Sequence, residues 1–379
     1  MERLTPRERM LVAMTNGQPD RVPVAPDISN MIPARLTNKP FWEIYYFGDP
    51  PLWRDYIDAV KHFGIDGWFI YGDMQFQYPG DRYGAIEDMH KTNERWVVRR
   101  RGRVDGCRYT SETTYYIADP PTATGKPVHD LEAEWDLVEK LLAPPVGCNP
   151  SLLGVQRQAL GDLGVLGVGV GYPGFQSWFG LFTGEVMDLS VWYYEKPELI
   201  ERLRELHEQQ CLKQMEMILD ACPDFVLLGG SGTITLQSPR IARQLSLPTI
   251  EKLTRMGRQA GVPTMLHSCG KERVLVQWCA EETELDCINP LEVAPMGDCD
   301  LAEIKRLYGD RLALMGNLHT TEVMLRGTPD DVERAAREAI EAAGAGGGFI
   351  LSTGDQCGRD TPEENIFRLV EAARRYGQY

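Results

Sequence analysis

A chain of 379 residues, 43% hydrophobic and 25% charged, has the balance of an ordinary globular protein. A net charge of −15 argues against a nucleic-acid partner, because phosphate recognition needs a basic field. No stretch approaches about eighteen apolar residues, so nothing is expected to span a membrane. Residues Met1–Met14 are charged and helical in pattern and lack the apolar core of a signal peptide, which points to a cytoplasmic protein. The nine cysteines are odd in number and scattered. Cys211, Cys222 and Cys279 read as small core residues, and a disulfide framework is not expected.

Short apolar runs alternate with amphipathic helical stretches along the chain. Val22–Pro26 is a first strand, followed by helical pattern from Leu52 to Phe63. Gly67–Tyr71 is a second strand and residues 163–171 a third. Phe225–Leu228, Pro263–Leu266, Cys287–Asn289, Leu312–Met315 and Phe349–Leu351 are the fourth to eighth. These runs lack in/out alternation, as parallel strands buried on both faces do. Residues 188–221, 239–260, 271–284, 301–308, 330–343 and 362–376 supply helices in the gaps, and the glycines 344–348 read as a helix end before a strand.

Eight strands, each followed by helix, predict a single (β/α)8 TIM barrel spanning residues 1–379. The alternative, an open doubly wound sheet, would call for a glycine-rich phosphate turn after the first strand, and there is none. Residues 95–118 break the alternation. They read as an inserted antiparallel β-hairpin turning at Asp105-Gly106, placed where it could cover the barrel mouth. The basic run Arg99, Arg100, Arg101 and Arg103 reads as a solvated face of that hairpin.

Barrel chemistry sits at the C-terminal ends of strands, and those ends are polar here. Gly229-Gly230-Ser231-Gly232, His267-Ser268-Cys269-Gly270-Lys271, Pro290-Leu291-Glu292, Gly316-Asn317-Leu318-His319 and Ser352-Thr353-Gly354-Asp355-Gln356-Cys357 follow five consecutive strands. Imidazole and thiolate are both good zinc ligands. One intervening residue lets His267 and Cys269 reach a single ion from extended backbone. Asp355 and Cys357 offer further ligands at another strand end. Glu292 is a candidate metal ligand or acid/base, and Asn317 a candidate substrate or ligand-supporting hydrogen-bond partner. His319 reads as a helix-start histidine. Asp27 and Asp73 are expected to face the same mouth. Trp42, Tyr45, Tyr46, Phe47, Phe76, Tyr78, Tyr172, Phe175, Trp178 and Phe179 could line an apolar pocket there.

Several short motifs occur in order: Pro19-Asp20-Arg21-Val22-Pro23-Val24, Leu266-His267-Ser268-Cys269-Gly270, Met315-Gly316-Asn317, Arg326-Gly327-Thr328-Pro329 with Asp331-Val332, and Thr361-Pro362-Glu363-Glu364-Asn365-Ile366. In these the chain resembles the uroporphyrinogen decarboxylase superfamily, most closely its branch of zinc-containing, cobalamin-dependent methyltransferases. The resemblance implies a barrel and a zinc held by the His-x-Cys pair and a later cysteine. It also implies methyl exchange between a small substrate and a corrinoid. This chain shows no Asp-x-His-x-x-Gly cobalamin signature, so the corrinoid would arrive on a transient partner protein. In the family pattern the late cysteine stands six residues before the Thr of Thr-Pro. Counting back from Thr361, that position is Asp355, with Cys357 two residues further on. Either could be the third ligand, since residues two apart on an extended strand share a face. With a carboxylate ligand, the substrate could be a methoxyl compound rather than a thiol. Two alternatives remain: a uroporphyrinogen decarboxylase-like carboxy-lyase, disfavoured by the lone Arg35 where an arginine-rich motif would stand, and a non-catalytic zinc-binding barrel.

Overall fold

The computed structural model describes residues 3–379; Met1 and Glu2, part of the helical N-terminal pattern, lie outside the described residues. The chain opens with α1 (Pro6–Met14), α2 (Met31–Leu36) and α3 (Leu52–Phe63), then β1 (Gly67–Gly72) and a short β2 (Phe76–Gln77). An antiparallel excursion follows, β3 (Arg82–Lys91), β4 (Arg95–Val104), β5 (Cys107–Tyr116) and β6 (Thr122–Gly125). Next come α4 (Trp135–Leu141), β7 (Gly147–Cys148), α5 (Ser151–Leu160) and β8 (Gly164–Val170). After α6 (Phe175–Trp178), α7 (Glu185–Glu195) and α8 (Pro197–Asp220), the alternation is regular. It runs β9 (Phe225–Gly229), α9 (Ser238–Leu245), α10 (Leu247–Ala260), β10 (Thr264–His267), α11 (Arg273–Glu282) and β11 (Cys287–Asn289). It ends with α12 (Leu301–Tyr308), β12 (Ala313–Leu318), α13 (Pro329–Ala343), β13 (Phe349–Thr353) and α14 (Glu363–Tyr376).

Seven strands form one curled parallel sheet in the order β1-β8-β9-β10-β11-β12-β13. They coincide with seven of the eight predicted runs. The remaining run, around residues 22–25, makes no extended ladder but bonds to both sheet edges. Ala25 N–H donates to Leu351 O and Leu351 N–H to Pro23 O, each at 2.9 Å, while Asp66 N–H donates to Val24 O at 2.9 Å.

Both faces of the sheet are buried. On one face Trp68, Val165, Phe225, Met265, Cys287, Met315 and Ile350 form an inner cluster, sealed by Met10, Ala13 and Met14 of α1. On the other, Phe69, Leu166, Val226, Leu228, Leu266, Leu314 and Phe349 pack with the surrounding helices. Gly167 makes the inner packing possible: a Cβ there would stand 2.3 Å from the Phe225 ring. At the opposite end from the site, buried Asp66 takes Arg9 Nη1 at 2.6 Å and Arg21 Nη1 at 2.8 Å. It also accepts the Val24 N–H at 2.9 Å. The Asp20-Arg21 motif is thus structural: Asp20 holds Arg9 at 2.8 Å and Arg21 holds the strand start.

Several expectations need correction. The helical pattern 188–221 is two helices, broken at Lys196-Pro197, and 239–260 is likewise two, broken at Ser246, because proline tolerates only a helix start. The hairpin is half of a four-stranded sheet, β3-β4-β5-β6. Its base is tied to mouth loops by Phe41 N–H to Ile117 O (2.8 Å) and Arg359 Nη1 to Ala118 O (2.7 Å). Arg99 and Arg103 on it are exposed and paired with Glu112 and Asp81, and Arg101 with Glu87, as a solvated face should be. Cys211 and Cys279 are buried, but Cys222 is exposed, in a left-handed turn after α8 (φ 47°) rather than in the core. Among the described residues, no helix is long and apolar enough to cross a membrane.

Beside the sheet, Trp178 Nε1 donates to Nδ1 of the buried His207 at 3.1 Å, which keeps that imidazole neutral. Burial lowers its pKa to about 4. The unfolded chain, with an ordinary histidine near 6.5, binds the proton first as pH falls. Stability from this site is therefore complete above about pH 6.5. It declines below that, by about 3 kcal/mol at pH 4. Urea unfolding across this range should show that slope in the native protein and a flatter one in His207→Gln.

Candidate metal centre at the strand ends

The centre continues the inner face of the sheet. Side chains two apart on a strand share a face, so His267 follows Met265 inward and Asn289 follows Cys287. The parallel register sets His267 beside Asn289, whose Oδ1 lies 3.2 Å from His267 Nδ1. That contact fixes the ring and leaves Nε2 directed elsewhere, 3.8 Å from Asp355 Oδ1. Cys269 comes two residues later on the same turn. One ligand atom each from His267, Cys269 and Asp355 all lie within 4.8 Å of one another.

Local backbone holds each in place. Ser268 Oγ donates to Gly230 O at 2.8 Å and accepts Thr233 N–H at 3.1 Å, locking the turn to the loop after β9. Gly270 adopts φ 98°, and a Cβ there would stand 2.2 Å from Thr235 Oγ1, so only glycine lets the turn close after Cys269. Its N–H donates to Glu292. Asp355 also has positive φ, 99°. Thr353 Oγ1 donates to Asp355 O at 2.7 Å, and Arg35 Nη1 ties down the same loop through Arg359 O (2.6 Å) and Thr361 O (2.8 Å). The Thr-Pro motif near Thr361 thus marks a loop anchored beneath Asp355.

The centre is crowded with acid. Burial pushes the Cys269 thiol up to about 12, helped by Asp355 and Glu292, while a Ser231 contact opposes it. Glu292 is also raised, chiefly by burial, against the Gly270 N–H. Asp27, buried at 5% exposure, is raised by burial against its bonds from Ser29 N–H (3.0 Å) and Oγ (2.6 Å). Asp27, His267 and Asp355 line a cavity of about 510 Å³ with Ser29, Asn30, Trp68, Gln176, Phe179, Ser231 and Gln356.

The other candidates fall as follows. Cys357 is fully buried, its N–H bonded to Asp27 O at 2.8 Å, and it is not in the three-residue group. Glu292 braces the Cys269 turn. Asn317 is buried and donates to Leu291 O at 3.1 Å, holding the loop that carries Glu292. His319 caps the turn that follows it, accepting from Thr321 and Glu322 N–H at 3.1 and 3.2 Å. Asp73 accepts Gln75 N–H at 2.8 Å and is not part of the cavity wall. Of the ten aromatic candidates only Phe179 lines the cavity. Phe175 and Trp178 belong to a core cluster, and Tyr46 and Phe47 pack with Trp96 outside the mouth. Asn289 was not foreseen; its signal is a polar residue closing an apolar strand directly beside the histidine.

A curled parallel α/β sheet whose inner face ends in convergent histidine, cysteine and aspartate defines a strand-end centre of the barrel-like enzyme type. The chain belongs to the uroporphyrinogen decarboxylase (URO-D) family, whose model matches residues 181–376. A methylcobamide:CoM methyltransferase of Methanosarcina barkeri is 28% identical over 194 residues, 50% of this chain and 53% of that protein. A uroporphyrinogen decarboxylase of Coxiella burnetii is 25% identical over 193 residues, 48% of this chain and 49% of that protein. The chain thus spans about half the length of the curated relatives it matches. In fold, a methyltransferase from Methanosarcina mazei superposes with a TM-score of 0.67 over 98% of this chain and 99% of that one, at 18% identity.

Proposed function

We propose that this protein is a methyltransferase that moves a methyl group between a heteroatom of a small substrate and a corrinoid held by a separate protein, with zinc bound by His267, Cys269 and Asp355. The observation that carries this reading is the convergence of those three ligand atoms within 4.8 Å, with His267 and Asp355 in the cavity wall. The donor set suits zinc: ligand atoms about 2.0–2.3 Å from one ion stand roughly 3–4 Å apart, and His267 Nε2 and Asp355 Oδ1 are 3.8 Å apart. Three protein ligands leave a fourth position for substrate, as catalytic rather than structural zinc requires. When bound, zinc would lower the heteroatom's pKa and offset its charge while the corrinoid gives or takes the methyl group.

The chain's own residues bind, orient and exclude water. Asn289 holds the His267 ring, Glu292 and Gly270 hold the Cys269 turn, and Asn317 positions the loop bearing Glu292. A cavity of about 510 Å³ suits a small ligand, which leaves the corrinoid outside, on its own protein docked over the mouth. The methyl-transferring names of several relatives support the same chemistry. We further read residues 1–379 as one domain, with residues 22–25 completing an eight-stranded barrel and β3–β6 as an insertion; the bonds of Pro23 and Ala25 with Leu351, and of Val24 with Asp66, support this.

Metal content by mass spectrometry is expected to give one zinc per chain, lost in His267→Ala and Cys269→Ala. The zinc-loaded protein should alter the visible spectrum of a methylated or reduced corrinoid protein when substrate is added. A metal-free, correctly folded native protein would sink the zinc reading and favour a metal-independent decarboxylase.

A further inference from the structure

Two carboxyl groups and one imidazole stand in the wall of the mouth cavity. Asp27 and Asp355 both line it, and among the described residues none of those lining it is lysine or arginine. Arg35 and Lys126 are held by other groups. Arg35 points one guanidinium nitrogen at the carbonyls of Arg359 and Thr361. Buried Lys126, over the Phe179 ring at 5.1 Å, is held by Phe179 O at 2.6 Å and paired with Glu185. A dication held by neutral His267, thiolate Cys269 and carboxylate Asp355 has its charge cancelled by its own ligands. Asp27 is then the carboxyl group of the wall that lies outside the ligand set, and an incoming cation would offset the burial that favours its neutral form. Its Oδ1 is fixed by two bonds from Ser29, and Gln356 Nε2 donates to the Ser29 hydroxyl at 3.1 Å, so the carboxylate is pre-oriented. Trp68 adds an aromatic ring to the same wall, a surface that attracts cations. The whole molecule, at −15, steers cations inward and repels anions.

We propose that the substrate taken at this mouth carries a positively charged group, an ammonium, rather than an acidic headgroup, and that Asp27 is the residue that selects it. A sulfonate, phosphate or carboxylate would enter a wall that holds two carboxyl groups and, among the described residues, no lysine or arginine to pair with it. This inference rests on the mouth cavity being the substrate site of the proposed methyl transfer, but not on zinc being present.

The test uses three probes of similar shape and no metal-binding thiol, measured by calorimetry on the full chain: choline, neutral 3,3-dimethylbutan-1-ol and anionic 3,3-dimethylbutyrate. Choline is expected to bind about tenfold more tightly than the alcohol, as one partly buried opposite charge provides, with the acid weakest. Asp27→Asn should reduce the choline preference to about twofold or less. Asn30→Lys, a half-buried position on the same wall whose side chain makes no cap bond, should shift the preference toward the acid while leaving the fold intact. Equal binding of choline and the alcohol, tighter binding of the acid, or failure of all three to bind would overturn the proposal. Zinc analysis on the same preparation separates the two readings. A zinc-loaded protein without charge preference refutes this inference alone, and a zinc-free protein that prefers choline refutes the zinc centre alone.

Discussion

Replacing Asp66 with alanine is expected to destabilise the protein by about 3–5 kcal/mol, the largest effect of any substitution distant from the site. The carboxylate is 1% exposed and bridges two guanidiniums, Arg9 and Arg21, that are themselves 0% and 2% exposed. Removing it leaves two buried cations without the acid they share, and an unpaired Val24 N–H besides. Against a typical total stability of about 5–15 kcal/mol, such a loss brings the protein near unfolding at moderate temperature. Asp66→Asn keeps an oxygen for the Val24 N–H and should fall between. Glu112→Gln, which breaks the exposed pair with Arg99, provides the contrast, at under about 1 kcal/mol. Urea midpoints of the three variants check the ranking, and equal midpoints for Asp66→Ala and Glu112→Gln would refute it.

The second large effect is expected at the third ligand. Asp355→Ala should weaken zinc binding at least about 100-fold, since even partners one shell out cost about 10–100-fold. Cys357→Ala should leave affinity within about twofold, because its sulfur is buried outside the three-residue group. Competition against a chromogenic chelator reads both numbers. The reverse ranking would place the metal on Cys357 and require the strand-end loop to rearrange.

That pair also shows where sequence reading stops. The parallel strands were legible because both faces are buried, which turns each into an unbroken apolar run; α3 and α12 fall on their predicted residues. β3 was not legible. Its residues, among them Gly84, Glu87, Asp88 and His90, are mostly exposed, and it is a strand because β4 offers a free edge rather than because its own pattern asks for one. At the candidate site, the spacing of His267 and Cys269 proposed a pair, and the structure brings both near Asp355. The choice between Asp355 and Cys357 was left open on the premise that residues two apart share a face. That premise fails because β13 ends at Thr353 and Asp355 turns the chain through φ 99°, so strand periodicity no longer applies. Asp27 could be placed at the mouth from its strand, and Ser29 lies only two residues on, but the Gln356 bond that steadies Ser29 spans 327 residues.

The bonds between residues 22–25 and the last strand carry a consequence for biosynthesis. Ser352 Oγ reaches Ala25 O across 327 residues, so these contacts form only after β13 has left the ribosome. Until then the growing sheet ends in an unpaired strand edge, a template for pairing with a neighbouring chain. Closing so long a loop adds little to the equilibrium cost, because loop entropy grows only slowly with length. It does delay the event, as high contact order slows folding. The interval between emergence of β12 and docking of β13 is therefore when a nascent chain of this design most needs a chaperone.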